Sequence, residues 1–334
     1  MDISRPHLGG HPGASRQLAI GVVLLAVAFL FYVMPFAYGH GFERKTLALV
    51  LYNIADREED WAHCLFVPAI SLFLVYLRRE YLSHIPIRGS VWGLGLVIFS
   101  LALYWLGYKA ETQYIGFGAI QLLIAGVVIW FLGWQFFRAL LFPWIFLAFA
   151  WPLVFMEGWV ALPLRLVMSE VSYLFLNVIG LDTVQRGTAI LSAPDAARGL
   201  AAGEYFSVDI ADPCSGIRSL FALLMICALY GYVAMPRAWQ HVVIFLSAIP
   251  LAILGNFVRI LALTFGILAF GSEFAIGPDE DNPSTFHMAA GYAAVYGVAV
   301  VGMVLIGKLL RKIDPGPPPV EDEYYNRKPA PKSS

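Results

Sequence analysis

Apolar residues run along this chain in long blocks rather than in the alternating or one-sided patterns of water-facing strands and helices. The blocks fall at about 18–36, 62–77, 91–107, 114–134, 139–155, 214–235, 241–268 and 286–310. Each has about the length a helix needs to cross roughly 30 Å of hydrocarbon at about 1.5 Å per residue. The pattern predicts an all-α polytopic membrane protein with about eight transmembrane helices. A ninth apolar stretch, 158–181, carries Trp159, Pro163, Arg165 and Glu170. It reads either as a further span or as an amphipathic helix lying in the interface.

Basic residues orient the spans. Arg78, Arg79 and Arg88 follow the second block and Arg311 and Lys312 follow the last, so both places are expected on the cytoplasmic side. Eight spans satisfy this with both termini inside, and nine do not. The 37–61 loop then lies outside although it holds Arg44, Lys45 and Arg57 among acidic residues. The first block is as long as a span and runs into charged loop rather than an A-x-A cleavage site, so it is expected to be retained. The 182–213 segment becomes a small extracytoplasmic insertion. In it Thr188–Ser192 and Tyr205–Ile210 alternate weakly and are rich in β-formers, which predicts a hairpin. Residues 1–312 read as a single membrane domain. Pro315, Pro317, Pro318, Pro319, Pro329 and Pro331 break the last helix and predict a disordered cytoplasmic tail over 313–334.

Composition agrees with a bilayer as the solvent. Of 334 residues 59% are hydrophobic and 13% are charged, where a soluble domain carries about 25% charged residues. A net charge of -1 offers no basic patch for nucleic acid. The three cysteines, Cys64, Cys214 and Cys227, exclude a multi-disulfide framework and a four-cysteine zinc site. No C-x-x-C pair is present, and neither a metal nor a cofactor is expected.

The candidate chemistry gathers in the last three spans, toward the outer face. In Asp212-Pro213-Cys214-Ser215-Gly216-Ile217-Arg218, Asp212 suits a helix N-cap and Pro213 the first helical position, which puts Cys214 in the first turn. There the free amides and the helix dipole favour an anion, and Arg218, four residues on, adds a fixed positive charge on the same face. Gly216 lets a second backbone approach. The plainer alternative is an inert buried cysteine with Arg218 snorkelling to the interface. Arg259, in Gly255-Asn256-Phe257-Val258-Arg259, stands deep in a span, where insertion costs at least about 2.5–3.5 kcal/mol. It needs an internal partner or a polar cavity; Asn256 shares its face, and a helix-stapling role is the alternative. His287 opens the last span, as a catalyst or as an interfacial polar residue. A thiol, an imidazole and a fixed cation are together the parts of acyl transfer. His63 and Cys64 are adjacent and point apart on a helix, a poor dyad, and Cys227 reads as packing.

These motifs carry a resemblance. Cys214-Ser215-Gly216-Ile217-Arg218-Ser219-Leu220, then Asn256-Phe257-Val258-Arg259, then His287 followed by Gly291, resemble the exosortase/archaeosortase family of membrane transpeptidases over roughly 55–295. Ala62-His63-Cys64-Leu65-Phe66-Val67-Pro68 resembles the family's early S-H-G-F-[LI]-x-P segment, departing from it at Ala62, Cys64 and Leu65. The resemblance implies a bundle of about eight spans, a triad of Cys214, Arg259 and His287 with Arg218 in the same motif, and a substrate or structural role for His63. It implies a cysteine-type endopeptidase or transpeptidase of the inner (plasma) membrane, working through a thioester on Cys214. Its partners would be membrane-anchored proteins ending in a short motif such as Pro-Glu-Pro, one transmembrane helix and a basic cluster. In bacteria such proteins go with exopolysaccharide and biofilm loci. Read from residues alone, a transporter or an exopolysaccharide polymerase or ligase is the alternative. It would bind an anionic lipid-linked substrate through Arg218 and Arg259, and Cys214 would be dispensable.

Overall fold

The structure is a computed structural model; it describes residues 14–38, 44–57, 59–153, 159–160, 162–209, 217–278 and 282–316. The chain divides into two compact units, 1–153 and 154–334. The described residues are mostly helical, as the apolar blocks predict.

In the first unit α1 (Ala14–Tyr32) leads into a ribbon of β1 (Pro35–Tyr38) and β2 (Arg44–Thr46). Next come α2 (Leu47–Arg57), a 3-10 turn (Glu59–Leu65), α3 (Val67–Leu77), α4 (Arg79–Ser83), α5 (Val91–Lys109), α6 (Gln113–Phe131), α7 (Trp134–Ala139) and α8 (Leu141–Phe146). The antiparallel α5–α6 pair is the spine. A Cβ on Gly126 would lie 2.9 Å from the backbone N of Val97, so the two backbones meet without side chains between them. Phe36 is fully buried against Tyr104, with ring centroids 4.8 Å apart. That contact pins the ribbon to the spine.

The 37–61 segment, expected as a charged loop, folds. Leu47, Val50, Leu51 and Ala55 are buried at helical spacing and make α2 an amphipathic helix beside the ribbon. The expected 139–155 span is broken instead of continuous. Leu140 separates α7 from α8, a 3-10 turn covers Leu147–Ala150, and Trp151 is extended because Pro152 disfavours a helical conformation before it. The Trp151 and Trp144 indoles both donate to Gln121 of α6, the first to its side chain and the second to its carbonyl.

The second unit holds α9 (Leu162–Val178), β3 (Thr183–Arg186), β4 (Ala189–Ser192), β5 (Ser207–Asp209), α10 (Ile217–Ala234), α11 (Ala238–Phe270), α12 (Ser272–Ala275) and α13 (Thr285–Ile313). The ambiguous 158–181 stretch contains α9, whose buried side mixes Met168 and Leu176 with serines and whose exposed side is mostly apolar. Ser169 and Ser172 are fully buried, while Leu166, Val167, Val171, Leu174 and Val178 are exposed. The two strands expected from Thr188–Ser192 and Tyr205–Ile210 do pair, Ile190 opposite Val208. A third strand, β3, completes an antiparallel sheet of order β3-β4-β5. Ile190, Phe206 and Val208 of the sheet join Met168 and Leu176 of α9 and Ile260 and Ile267 of α11 in one buried cluster. A second cluster ties Leu220, Leu223 and Cys227 of α10 to Ala248, Leu251 and Ala252 of α11 and Ala299 and Met303 of α13.

The antiparallel α11–α13 pair organises this unit. At one end the fully buried Gln240 side chain donates to the carbonyls of Leu310 (3.0 Å) and Asp314 (2.8 Å). Arg237, just before α11, forms an ion pair with Asp314 at 3.4 Å. Asp314 also accepts from the Gly316 N–H (2.9 Å) and, at longer range, from the Trp239 indole (3.4 Å).

Four described helices are long and apolar enough to cross a membrane: α5, α6, α11 and α13. The other four expected spans fall at α1, His63–Leu77, Leu141–Ala150 and α10; the apolar helical runs His63–Leu77, Leu141–Ala150 and Leu220–Ala234 are shorter. The tail from 317 onward lies outside the described residues.

Candidate active site

The end of the α11–α13 pair away from Gln240 carries Arg259 and His287. Pro283 and Ser284 open α13. Ser284 is extended (φ -64°, ψ 157°), and its Oγ accepts from the His287 N–H at 3.0 Å, a side-chain N-cap. The cap fixes His287 in the first turn of α13. Across from it on α11, Arg259 donates from Nη2 to His287 Nε2 at 2.9 Å.

That bond assigns the imidazole tautomer. A guanidinium has donors only, so Nε2 must present its lone pair and the ring proton sits on Nδ1. The bond therefore belongs to neutral His287. His287 Nδ1 and Arg259 Nε are both buried, with no hydrogen-bond partner among the described residues. Each is an N–H donor in this tautomer, and a buried donor without an acceptor costs about 1–3 kcal/mol. Two such donors belonging to one hydrogen-bonded pair make a place for a group rich in acceptor oxygens, or for an anionic sulfur.

Backbone contact holds the pair. A Cβ on Gly255 would lie 2.9 Å from Val295 Cα, so α11 and α13 touch one turn from Arg259. A Cβ on Gly291 would lie 3.1 Å from Cζ, 3.2 Å from Nε and 3.4 Å from Nη2 of Arg259. The guanidinium thus rests on the bare backbone of Gly291. Asn256, expected as a neighbour of Arg259, is 3% exposed and donates from Nδ2 to Ala252 O of its own helix at 3.0 Å.

The remaining candidates are distributed as follows. Asp212, Cys214 and Gly216 lie outside the described residues, as does the expected helix start at Asp212-Pro213; Arg218 belongs to the first turn of the described α10. The nearest described cluster residues on either side, Val208 and Leu220, belong to clusters built on α11. In the first unit His63 lies in the 3-10 turn, its ring 5.8 Å from that of the buried Trp61. Cys64 is fully buried and its Sγ donates to Phe149 O at 3.4 Å, with His63 Nε2 3.9 Å away. The Cys64 thiol is thereby committed to a carbonyl. Cys227 is fully buried in the α10–α11–α13 cluster. Among the described residues no three His, Cys, Asp or Glu side chains cluster closely enough to hold a metal ion.

A model of the transmembrane exosortase family matches residues 55–305, most of the chain and all of the α9–α12 region. The chain belongs to the transmembrane exosortase family. Comparison with curated proteins and with solved structures finds no match. The matched region contains Cys214, Arg218, Asn256, Arg259 and His287, and leaves the proline-rich tail outside. For an exosortase, the spacing of the sequence motifs brings attention to Arg259 and His287. It gives no role to Ser284 or to the surface of Gly291. A serine directly before a long apolar run is a readable cap signal; the glycine's role needs the facing helix.

Proposed function

We propose that this exosortase is a cysteine-type endopeptidase and transpeptidase. It would remove C-terminal sorting signals from exported, membrane-anchored proteins at the extracytoplasmic side of the plasma membrane. The observation that carries this reading is the Arg259–His287 hydrogen bond, flanked by two buried N–H donors that lack an acceptor. Family membership supports it, as does chain connectivity. Cys214 is six positions from Val208 on one side and from Leu220 on the other, a reach of at most about 20 Å each way. Both flanks pack in clusters that include residues of α11, and Arg259 lies between their α11 members Ala252 and Ile260.

The chemistry runs as acyl transfer. The Cys214 thiol proton passes to His287 Nε2 as sulfur attacks the scissile carbonyl carbon. An imidazolium cannot accept from a guanidinium, so protonation of His287 breaks the resting bond and frees Arg259. Its N–H groups then meet the oxyanion that forms in the same step, where a preorganised donor is worth most. Arg218, four residues after Cys214 in the same motif, is assigned a supporting positive charge on the strength of that spacing. Collapse of the tetrahedral intermediate breaks the C–N bond, and His287 returns its proton to the leaving amine. A thioester remains on Cys214. Water or an acceptor amine attacks it, gives a proton to His287, and the proton returns to the sulfur as product leaves.

The test is Cys214→Ala with a tagged substrate, together with labelling of intact cells by a membrane-impermeant thiol reagent. Processing should stop in Cys214→Ala, and labelling should fall in Cys214→Ser. Processing that survives loss of Cys214 but fails in Arg259→Lys overturns this reading. It would favour a protein that binds an anionic lipid-linked substrate through its arginines.

A further inference from the structure

An apolar groove runs between α11 and α13. Leu254 and Val258 line it from α11, and Ala290, Ala293, Gly297 and Leu305 from α13. It is a shallow, open groove of about 650 Å³ with no charged or polar side chain in its wall. Its rim is uncovered, with Leu254 48% and Leu305 59% exposed. From Ala290 to Leu305 α13 rises about 22 Å at about 1.5 Å per residue. That is most of a hydrocarbon core of about 30 Å. A lipid tail reaches only to mid-bilayer, so a single occupant that fills this groove crosses from one leaflet to the other.

In hydrocarbon such an occupant must satisfy its own backbone, which makes it a helix. Ala290, Ala293 and Gly297 recur at helical spacing and allow a second backbone to come close. The groove is also continuous with the candidate active site. Val258 directly precedes Arg259, Ala290 directly precedes Gly291 on which the guanidinium rests, and both stand within a turn of the hydrogen-bonded pair. The buried donors Arg259 Nε and His287 Nδ1, without an acceptor among the described residues, mark that same end as the place where a ligand is held.

We infer that this groove seats the single transmembrane helix of the substrate, so that the peptide preceding that helix emerges at Arg259 and His287. The inference rests on the reading of the protein as a sorting-signal peptidase and adds to it the surface that selects the substrate. The seat is steric and apolar; recognition of the short motif is left to the polar end.

Gly297 permits a clean test, because a Cβ there meets no atom within 4 Å, and Gly95 on the exposed face of α5 is an equally open control. A photocrosslinking residue is installed at Val301 or Leu254 in the full-length protein carrying Cys214→Ala. The probe is a tagged reporter ending in Pro-Glu-Pro, an apolar helix of about 20 residues and a lysine/arginine cluster. An enzyme–reporter adduct is expected at Val301 and Leu254 and none at Ile98 of α5. Gly297→Leu should reduce both the adduct and, with Cys214 intact, reporter processing at least tenfold, whereas Gly95→Leu changes neither. Adducts at Val301 made only of two enzyme copies or only of lipid overturn the inference, as does full processing by Gly297→Leu. Processing that persists in Cys214→Ala overturns the cysteine mechanism instead, and the two failures are thus told apart.

Discussion

Arg259 Nη2 donates to His287 Nε2 across 2.9 Å, from the interior of α11 to the first turn of α13. The two residues are 28 apart in sequence, and each answers the other's problem. The arginine gains the internal partner that a cation in a membrane-spanning helix requires, and the imidazole is held in one tautomer. Separating the two roles of this bond is the first prediction. His287→Gln keeps an acceptor for Arg259 but cannot shuttle a proton, so the protein should fold normally while processing falls by about 10²–10⁴. Arg259→Lys should lower it by about 10²–10³, because an ammonium cannot reproduce the planar fork. Rates of tagged-substrate processing in membranes check both, with thermal stability in detergent as the control. Wild-type rates in either variant would remove that residue from the chemistry.

Gly291→Ala places a methyl 3.1–3.4 Å from three guanidinium atoms, so Arg259 must shift by a few tenths of an ångström. Processing is expected to fall between about tenfold and 10²-fold with little change in melting. Gly255→Val acts on backbone, 2.9 Å from Val295 Cα. It should destabilise the unit by about 1–3 kcal/mol and lower activity with it. If both variants lose rate and stability in the same proportion, Gly291 serves packing alone.

Ser284→Ala removes the cap on α13 and is expected to cost about 1 kcal/mol. Because the capped N–H belongs to His287 itself, the rate should drop beyond the change in stability. Ser284→Asn, which caps equally well, should restore both. Failure of the asparagine to restore the rate while restoring stability would mean that the hydroxyl, not the cap, is what matters.

Asp314 gives a pH dependence. The Gly316 N–H is the largest influence on its carboxyl, with the Trp239 indole and Arg237 adding to it against a smaller effect of burial. The carboxyl is held below its ordinary range, so the folded value lies below the unfolded value of about 3.9. Its contribution is complete above the unfolded value and disappears as pH falls through the folded one. Melting of wild type minus Asp314→Asn should therefore show a difference at pH 7 that closes below about pH 4. A difference independent of pH would assign Asp314 a purely steric part.

Much of this was readable from the chain. Uninterrupted apolar runs mark α5, α6, α11 and α13 because length and hydropathy suffice for a helix in lipid. The 139–155 run is as apolar, but Pro143, Pro152 and two indoles tied to Gln121 divide it. Hydropathy averages over such local restraints. The α2 stripe was hidden for the opposite reason, since charged residues around Leu47, Val50, Leu51 and Ala55 lower the local average. At the candidate site the residue types were legible, while the bond from Arg259 to His287 rather than to a neighbour on its own helix depends on how α11 and α13 meet. The floor under Arg259 was invisible for the same reason, as a glycine announces nothing about the side chain that lies on it.

The buried serines of α9 bear on how the protein is made. Met168 and Leu176, buried on α9 along with Ser169 and Ser172, pack in a cluster with Ile260 and Ile267 of α11, yet about 80 residues of chain must be synthesised between α9 and that part of α11 at about 5–20 residues per second. For those seconds the side of α9 that carries Ser169 and Ser172 lacks its α11 partners. Its seating in that cluster waits for α11, so the unit that holds Arg259 and His287 closes only after its C-terminal helices are made.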